Sequence, residues 1–177
     1  MTDDQLRTDT NTRPASADVK PPTVDSDEKA TLLAFLDYLR EGVVAKAQGL
    51  EGDLARVPGV PSGTNLLGLV KHLTEAEMYW FEWVFDGAEE EVPDFGMELA
   101  AEDTEESVVA GYRAAVVRSN AIIARCGDLG QVAARATGKN GVPRSMRWIL
   151  VHMIEETARH AGHADILREQ ADGAVGR

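Results

Sequence analysis

The sequence predicts an all-α protein, a four-helix bundle preceded by a disordered N-terminal tail. Apolar residues recur at helical spacing in four long stretches, and no stretch shows a convincing period of two. The 177 residues suffice for one domain with a real core. We place the tail at residues 1–24 and the bundle domain at residues 25–173. The tail is polar and proline-containing, so it cannot bury enough apolar surface to offset its ordering entropy.

The ends of the first two helices follow from local signals. Ser26 is the expected N-cap of the first helix, which should end near Gln48, before a glycine. Ser62 or Thr64 should cap the second helix, and Gly87 should end it.

The second half of the chain predicts two more helices. Residues 88–103 are acidic and form a long loop, after which Thr104 caps a third helix that frays at Gly127. The stretch "DLGQVAARATGKNGVPRS" is expected to be irregular or to form a short extra turn. The fourth helix should start near Pro143 and run to about Ala171.

Composition excludes several classes of protein. A formal net charge of −12 opposes binding to nucleic acid, and no basic cluster interrupts it. No apolar run is long enough to span a bilayer, and the N-terminus has no secretory signal pattern. The single cysteine, Cys126, excludes an internal disulfide framework and indicates a cytoplasmic protein.

The fourth helix carries a row of groups that can bind a metal ion. In "EETARHAGHAD", Glu156 is followed one turn later by His160 and then by His163, and His152 precedes them. At about 100° per residue, all four side chains fall within one quadrant of the helix. His163 lies about 10 Å along the axis from Glu156, so we predict that it does not share an ion with the others.

His72 is the one histidine outside the fourth helix, in "LLGLVKHLTEAE". An imidazole among apolar residues costs free energy unless it is paired or bound to a metal. With Glu156 and His160 it would supply N, O and N ligands, and three ligands with an open fourth position are typical of catalytic zinc. From spacing alone two alternatives stay open: a hydrogen-bonded core histidine at 72, and an ordinary surface pair at 156 and 160.

Three long stretches resemble the DinB-like superfamily, in a branch near the mycothiol-dependent maleylpyruvate isomerases. They are "PPTVDSDEKATLLAFLDYLRE", "TNLLGLVKHLTEAEMYWFEWVFDG" and "PRSMRWILVHMIEETARHAGHADILREQADG", and the likeness covers roughly residues 21–173. The resemblance implies a divalent ion between helices two and four. DinB-like proteins usually use three histidines, whereas this chain has Glu156 between His72 and His160, which matches the isomerase branch.

What the resemblance implies about function is a thiol-dependent S-transferase or isomerase. A low-molecular-weight thiol, mycothiol by resemblance, would bind zinc as its thiolate and attack a small electrophilic substrate. Nickel or another divalent ion is the alternative metal. The alternative functions are a non-catalytic, metal-stabilised dimeric bundle related to stress, and a metal-dependent hydrolase.

Other residues have weaker assignments. Glu75 is a candidate to orient His72. Arg147, Arg159 and Arg168 would either meet a substrate carboxylate or balance an acidic surface. His152 is expected to be a core or interface residue.

The second helix also predicts a homodimer. Its apolar residues surround the helix almost completely, and one face of a bundle cannot cover them all. They include Trp80, Phe81, Trp83, Val84 and Phe85.

Overall fold

The computed structural model describes residues 19–89, 91–139 and 141–176, and these are mostly helical. Helix α2 continues without a break into a π-helical segment, and a short 3-10 turn, Leu54–Arg56, follows α1. The long elements are α1 (Glu28–Ala47), α2 (Leu66–Glu77), the π segment (Met78–Asp86), α3 (Glu105–Arg125), β1 (Val132–Thr137), β2 (Val142–Ser145) and α4 (Met146–Asp172). The prediction of four long helices is confirmed.

The residue directly before each helix determines its start. Asp27, not Ser26, caps α1, and Asn65, rather than Ser62 or Thr64, caps α2. In both cases the capping residue has extended dihedrals and its side chain accepts a hydrogen bond from a backbone N–H of the first turn.

The predicted start of α3 and the predicted end of the helix that begins with α2 are confirmed. Thr104 caps α3 and forms a reciprocal capping box with Ser107. Gly87 ends the π segment in the left-handed conformation, with φ of 78°.

The prediction of a chain without strands is wrong. Strands β1 and β2 pair in antiparallel fashion, and Thr137 pairs with Val142. Pro143 lies in β2, so α4 begins at Met146 and Ser145 is its N-cap. A two-stranded sheet tolerates a proline because both strands are edges, which is why the helix-start signal of Pro143 was misleading.

Helix α2 lies beside α4 and runs antiparallel to it, since His72 meets Glu156 and the later Trp80 meets the earlier His152. Arg147 pairs with Glu28 near the start of α1, and Asp165 pairs with Lys46 near its end, so α1 and α4 are parallel. Helix α2 runs opposite to both. The residues that α2 and α4 present to each other therefore meet in reverse order along the chain.

The apolar residues of the π segment are largely covered within one chain. Phe81, Val84 and Phe85 are buried, and Trp83 is partly buried. The hairpin packs on this segment, with the Arg135 guanidinium 4.6 Å from the Trp83 ring centre. The segment thus does not require a partner subunit to cover it, and the homodimer stays a prediction.

Most of the predicted tail, residues 1–18, lies outside the described residues. Residues 19–24 have no regular structure, and the Tyr38 hydroxyl donates to the carbonyl of Val19 at 3.0 Å. In the described part of the chain, no helix is long and apolar enough to cross a bilayer.

A buried ion pair joins α1 to α2. Arg40 is 1% exposed and Glu77 is fully buried, and the guanidinium donates to both carboxylate oxygens at 2.8 and 2.6 Å. Arg40 also donates to Asp37 and to Asn120 of α3. Every charge in this group therefore has a partner, which is the condition for burying it.

Replacing one member of this pair should be far more costly than replacing both. We expect Glu77→Leu to lower the free energy of unfolding by about 3–5 kcal/mol, because it leaves a buried guanidinium uncompensated, and Arg40→Met with Glu77→Leu to recover much of that loss. Urea denaturation measures both. Arg118→Ala breaks the exposed Arg118–Glu82 pair and serves as a control, with an expected loss of about 0–1 kcal/mol. A double variant as unstable as the single one would contradict the argument.

Candidate metal centre

Two antiparallel helices bring three predicted ligands together. His72 lies in the second turn of α2, and Glu156 and His160 lie one turn apart on α4. One ligand atom from each of the three side chains lies within 4.8 Å of the other two. That these side chains bind a metal ion remains a prediction.

A single carboxylate oxygen is the centre of the group. Glu156 Oε1 lies 3.4 Å from His72 Nε2 and 3.1 Å from His160 Nε2. His72 and Glu156 are about one-seventh exposed, with side-chain exposures of 14% and 16%, and His160 is buried. The group is therefore largely shielded from bulk water but not completely closed.

The contacts of His72 determine its tautomer. Its Nδ1 lies 2.9 Å from the carbonyl oxygen of Phe95, and a carbonyl can only accept, so Nδ1 carries a proton and donates it. In the neutral ring, Nε2 then has no proton, and its lone pair faces the Glu156 carboxylate. Two acceptors at this distance repel each other unless a cation lies between them, either a second proton on the ring or a metal ion.

The charge states of the α4 pair suit a metal ligand set. Burial acts to raise the pKa of Glu156, but the hydrogen bond with His72 and the charge of His160 outweigh it and hold that pKa below its ordinary value. Burial lowers the pKa of His160 against the opposing effect of Glu156. Ionised carboxylate and neutral imidazole are the forms that bind metals.

Two of the three separations within the group match those around a tetrahedral zinc ion. Two ligands about 2.0–2.1 Å from a tetrahedral zinc ion lie about 3.3 Å apart. The two separations from Glu156 Oε1, 3.4 and 3.1 Å, are close to this value. The buried Nδ1 of His160 has no hydrogen-bond partner among the described residues, so the ring is held by packing and by its Nε2 side.

The loop before α3 holds Phe95 in place. Phe95 is a non-glycine residue with a positive φ, 58°, which is a strained conformation. Lys71 donates to the carbonyl of Glu98 at 2.9 Å, one residue after Met97, where the loop crosses Gly68. A Cβ at Gly68 would lie 2.6 Å from the carbonyl oxygen of Met97, so only glycine lets the loop approach α2 this closely.

The other histidines lie outside the group of three. His163 is exposed, with its ring centre 5.5 Å from that of His160. His152 is half-buried and lies 4.8 Å from Trp80, ring centre to ring centre. The orienting role considered for Glu75 is carried instead by the Phe95 carbonyl, a main-chain group that no side-chain pattern could indicate.

The three arginines considered as substrate anchors all have partners within the chain. Arg147 binds Glu28, Arg159 binds Glu156 at 2.6 Å and also Glu155, and Arg168 binds Asp172. They balance acidic side chains, which was one of the two interpretations. Arg159 also occupies the second oxygen of Glu156 and so leaves Oε1 to face the histidines.

The comparisons with known proteins identify the family of the chain. A family model described as mycothiol-S-transferase matches residues 31–173, which is most of the chain. The match spans α2, α3 and α4 and includes all three members of the group. It confirms the resemblance to the DinB-like proteins. No curated protein matches the chain.

Removing either histidine should remove the ion. We expect protein purified without chelator to carry about one divalent ion per chain, and His72→Ala or His160→Ala to lose most of it, because two ligands hold an ion far more weakly than three. His163→Ala is the control and should retain the ion. Elemental analysis measures this, and full occupancy in both ligand variants would show that the assignment is wrong.

Gly68→Ala should weaken the centre without touching a ligand. The added methyl group would push the loop away from α2 and with it the carbonyl that holds His72. Loss of such an orienting group typically weakens metal binding about 10- to 100-fold. Competition with a chelator gives the dissociation constant. Gly111→Ala, at a position with open space around it, should leave that constant unchanged; equal affinities in both variants would contradict the role of the loop.

Proposed function

The chain belongs to the mycothiol-S-transferase family, and from this premise we propose that it is a metal-dependent enzyme that joins a low-molecular-weight thiol, mycothiol, to a small electrophile. The single observation that carries the proposal is the His72, Glu156 and His160 group. It supplies three protein ligands and leaves a fourth position for the thiol, an arrangement typical of catalytic zinc centres.

The chemistry requires a deprotonated sulfur. The thiol loses its proton to solvent, the sulfur forms a bond to the electrophilic carbon, and the leaving group departs with the electron pair of the bond that breaks. A free cysteine-type thiol has a pKa near 8.5, so only a few per cent is thiolate at neutral pH. A bound divalent ion, which we propose to be zinc, lowers the pKa of a coordinating thiol.

The protein's own residues set up this reaction. His72 presents Nε2 because its other nitrogen is bound to the Phe95 carbonyl. Glu156 brings one negative charge, which Arg159 partly balances through the other oxygen. His160, buried and with a lowered pKa, stays neutral at pH 7 and able to donate its lone pair.

The surroundings of the site are consistent with a DinB-like protein. We propose that the four helices form a bundle with the ion between α2 and α4. Nickel is the alternative metal. A cytoplasmic location and a homodimer are further predictions, and a monomer mass by light scattering at micromolar concentration would exclude the dimer.

Turnover of thiol by the metal-loaded protein tests the function. With mycothiol and monochlorobimane as electrophile, we expect formation of the conjugate at a rate proportional to metal content. Glu156→Gln keeps the size of the side chain but loses its charge, so kcat/KM should fall at least about 100-fold.

Glu155→Gln is the matched control for this measurement. Glu155 precedes Glu156, is half exposed and also binds Arg159, yet it does not belong to the group of three. Its replacement should leave kcat/KM within about twofold. A metal-loaded protein that forms no conjugate would favour the non-catalytic bundle, and hydrolysis without thiol would favour a hydrolase.

A further inference from the structure

A patch of partly exposed aromatic rings lies beside the group of three ligands. We call the rings of Trp80, Trp148 and His152 the aromatic platform. The Trp148 and His152 rings are stacked with centres 5.1 Å apart, and the Trp80 centre lies 4.8 Å from His152 and 5.4 Å from Trp148. Each ring therefore contacts the other two.

The platform and the metal ligands lie on the same face of α4. Trp148, His152, Glu156 and His160 follow one another at intervals of four residues, which puts them on one stripe of the helix. Along the helix axis, His152 is about 6 Å and Trp148 about 12 Å from Glu156. The platform thus starts one turn from the proposed reaction centre and leads away from it.

The rings of the platform are accessible. Trp148 is 39% exposed, and the side chain of His152 is 28% exposed. By contrast Phe81, the neighbour of Trp80 in the π segment, is fully buried. Three adjoining rings with open surface next to a site are a feature of ligand-binding surfaces, since aromatic rings offer large, rigid contact areas.

Arg144, a cation without a carboxylate partner among the described residues, lies at the end of the platform farthest from the proposed metal ligands. The guanidinium of Arg144 is 4.7 Å from the centre of the Trp148 ring. Its Nε is buried and makes no hydrogen bond, and among the described residues no carboxylate pairs with Arg144. In a chain with a net charge of −12, an arginine left with free donors beside exposed rings is unusual.

Resting on the proposed function, we propose that the aromatic platform and Arg144 bind the sugar rings of the thiol cosubstrate. The apolar C–H faces of a sugar ring pack on the negative faces of aromatic rings, and sugar hydroxyls accept hydrogen bonds from a guanidinium.

The length of the ligand supports this assignment. With its sulfur at the open position beside Glu156, a cysteinyl arm and its amide bond span on the order of 5–7 Å. The first sugar ring then lies level with His152 and Trp80, and a second ring reaches Trp148. A small electrophile must instead lie at the sulfur, because the new bond forms there, so the platform is too distant to be its main contact.

Two thiols that differ only in the sugars show whether the platform binds the sugar rings or the electrophile. N-acetylcysteine has the reactive arm but no sugar rings, whereas mycothiol has both. In Trp148→Leu we expect the KM for mycothiol to rise about tenfold, with kcat within twofold and the KM for N-acetylcysteine unchanged. Trp148→Phe should recover most of the affinity because it keeps a flat ring.

Phe35→Leu is the matched control, since Phe35 is 38% exposed, lies on α1 and takes part in none of the ring contacts of the platform. It should change neither KM. An equal rise in KM for both thiols, or a rise only in the KM for monochlorobimane, would overturn the proposal.

Binding without chemistry distinguishes this inference from the proposed function. Calorimetry with the glucosaminyl-inositol fragment, which has no sulfur, should detect binding to the metal-loaded native protein and about tenfold weaker binding to Trp148→Leu. Binding with this pattern in a protein that shows no turnover would support the platform and refute the transferase. Turnover of mycothiol with no binding of the fragment, and with no preference over N-acetylcysteine, would support the transferase and refute the platform.

Discussion

The buried pair between Arg40 and Glu77 is the contact on which the arrangement of the helices depends. Both carboxylate oxygens of Glu77 accept hydrogen bonds from the same guanidinium, which also reaches Asn120 on α3. A buried charge that loses its partner is very costly, so α1 and α2 cannot slide or rotate against each other by much. One residue on each of three helices is thereby held in a single relative position. Apolar packing alone is less specific, because hydrophobic cores tolerate repacking.

The place of Glu77 along α2 connects this constraint to the site. His72 lies on the turns before Glu77, and Trp80 lies on the turn after it, where the helix has become π-helical. Both face α4, His72 toward Glu156 and Trp80 toward His152. The pair therefore fixes the side of α2 that contributes His72 to the proposed metal centre and Trp80 to the aromatic platform. π-helical turns are frequent at functional sites, which agrees with this placement.

The sequence predicted the site best where both ligands lie on one helix. The spacing of Glu156 and His160 places both on one face of α4, and the structure brings them together. Periodicity could not establish that His72 faces α4, because apolar residues surround it on several sides of α2. The family resemblance indicated that His72 is the third ligand. The hairpin was missed because its strands are short, with Ala, Arg and Thr in place of alternating large apolar residues, and because Pro143 is also a helix-start signal.

The carbonyl that orients His72 belongs to a surface loop and not to a helix. Residues in helices are constrained by the neighbours they pack on, whereas loops accept substitutions and insertions readily. Descendants of this chain can therefore change how firmly the histidine is held, and hence the affinity for the ion, by altering the segment around Phe95 while all three ligands stay the same. Natural selection has in this loop a means of adjusting the centre without rebuilding the core.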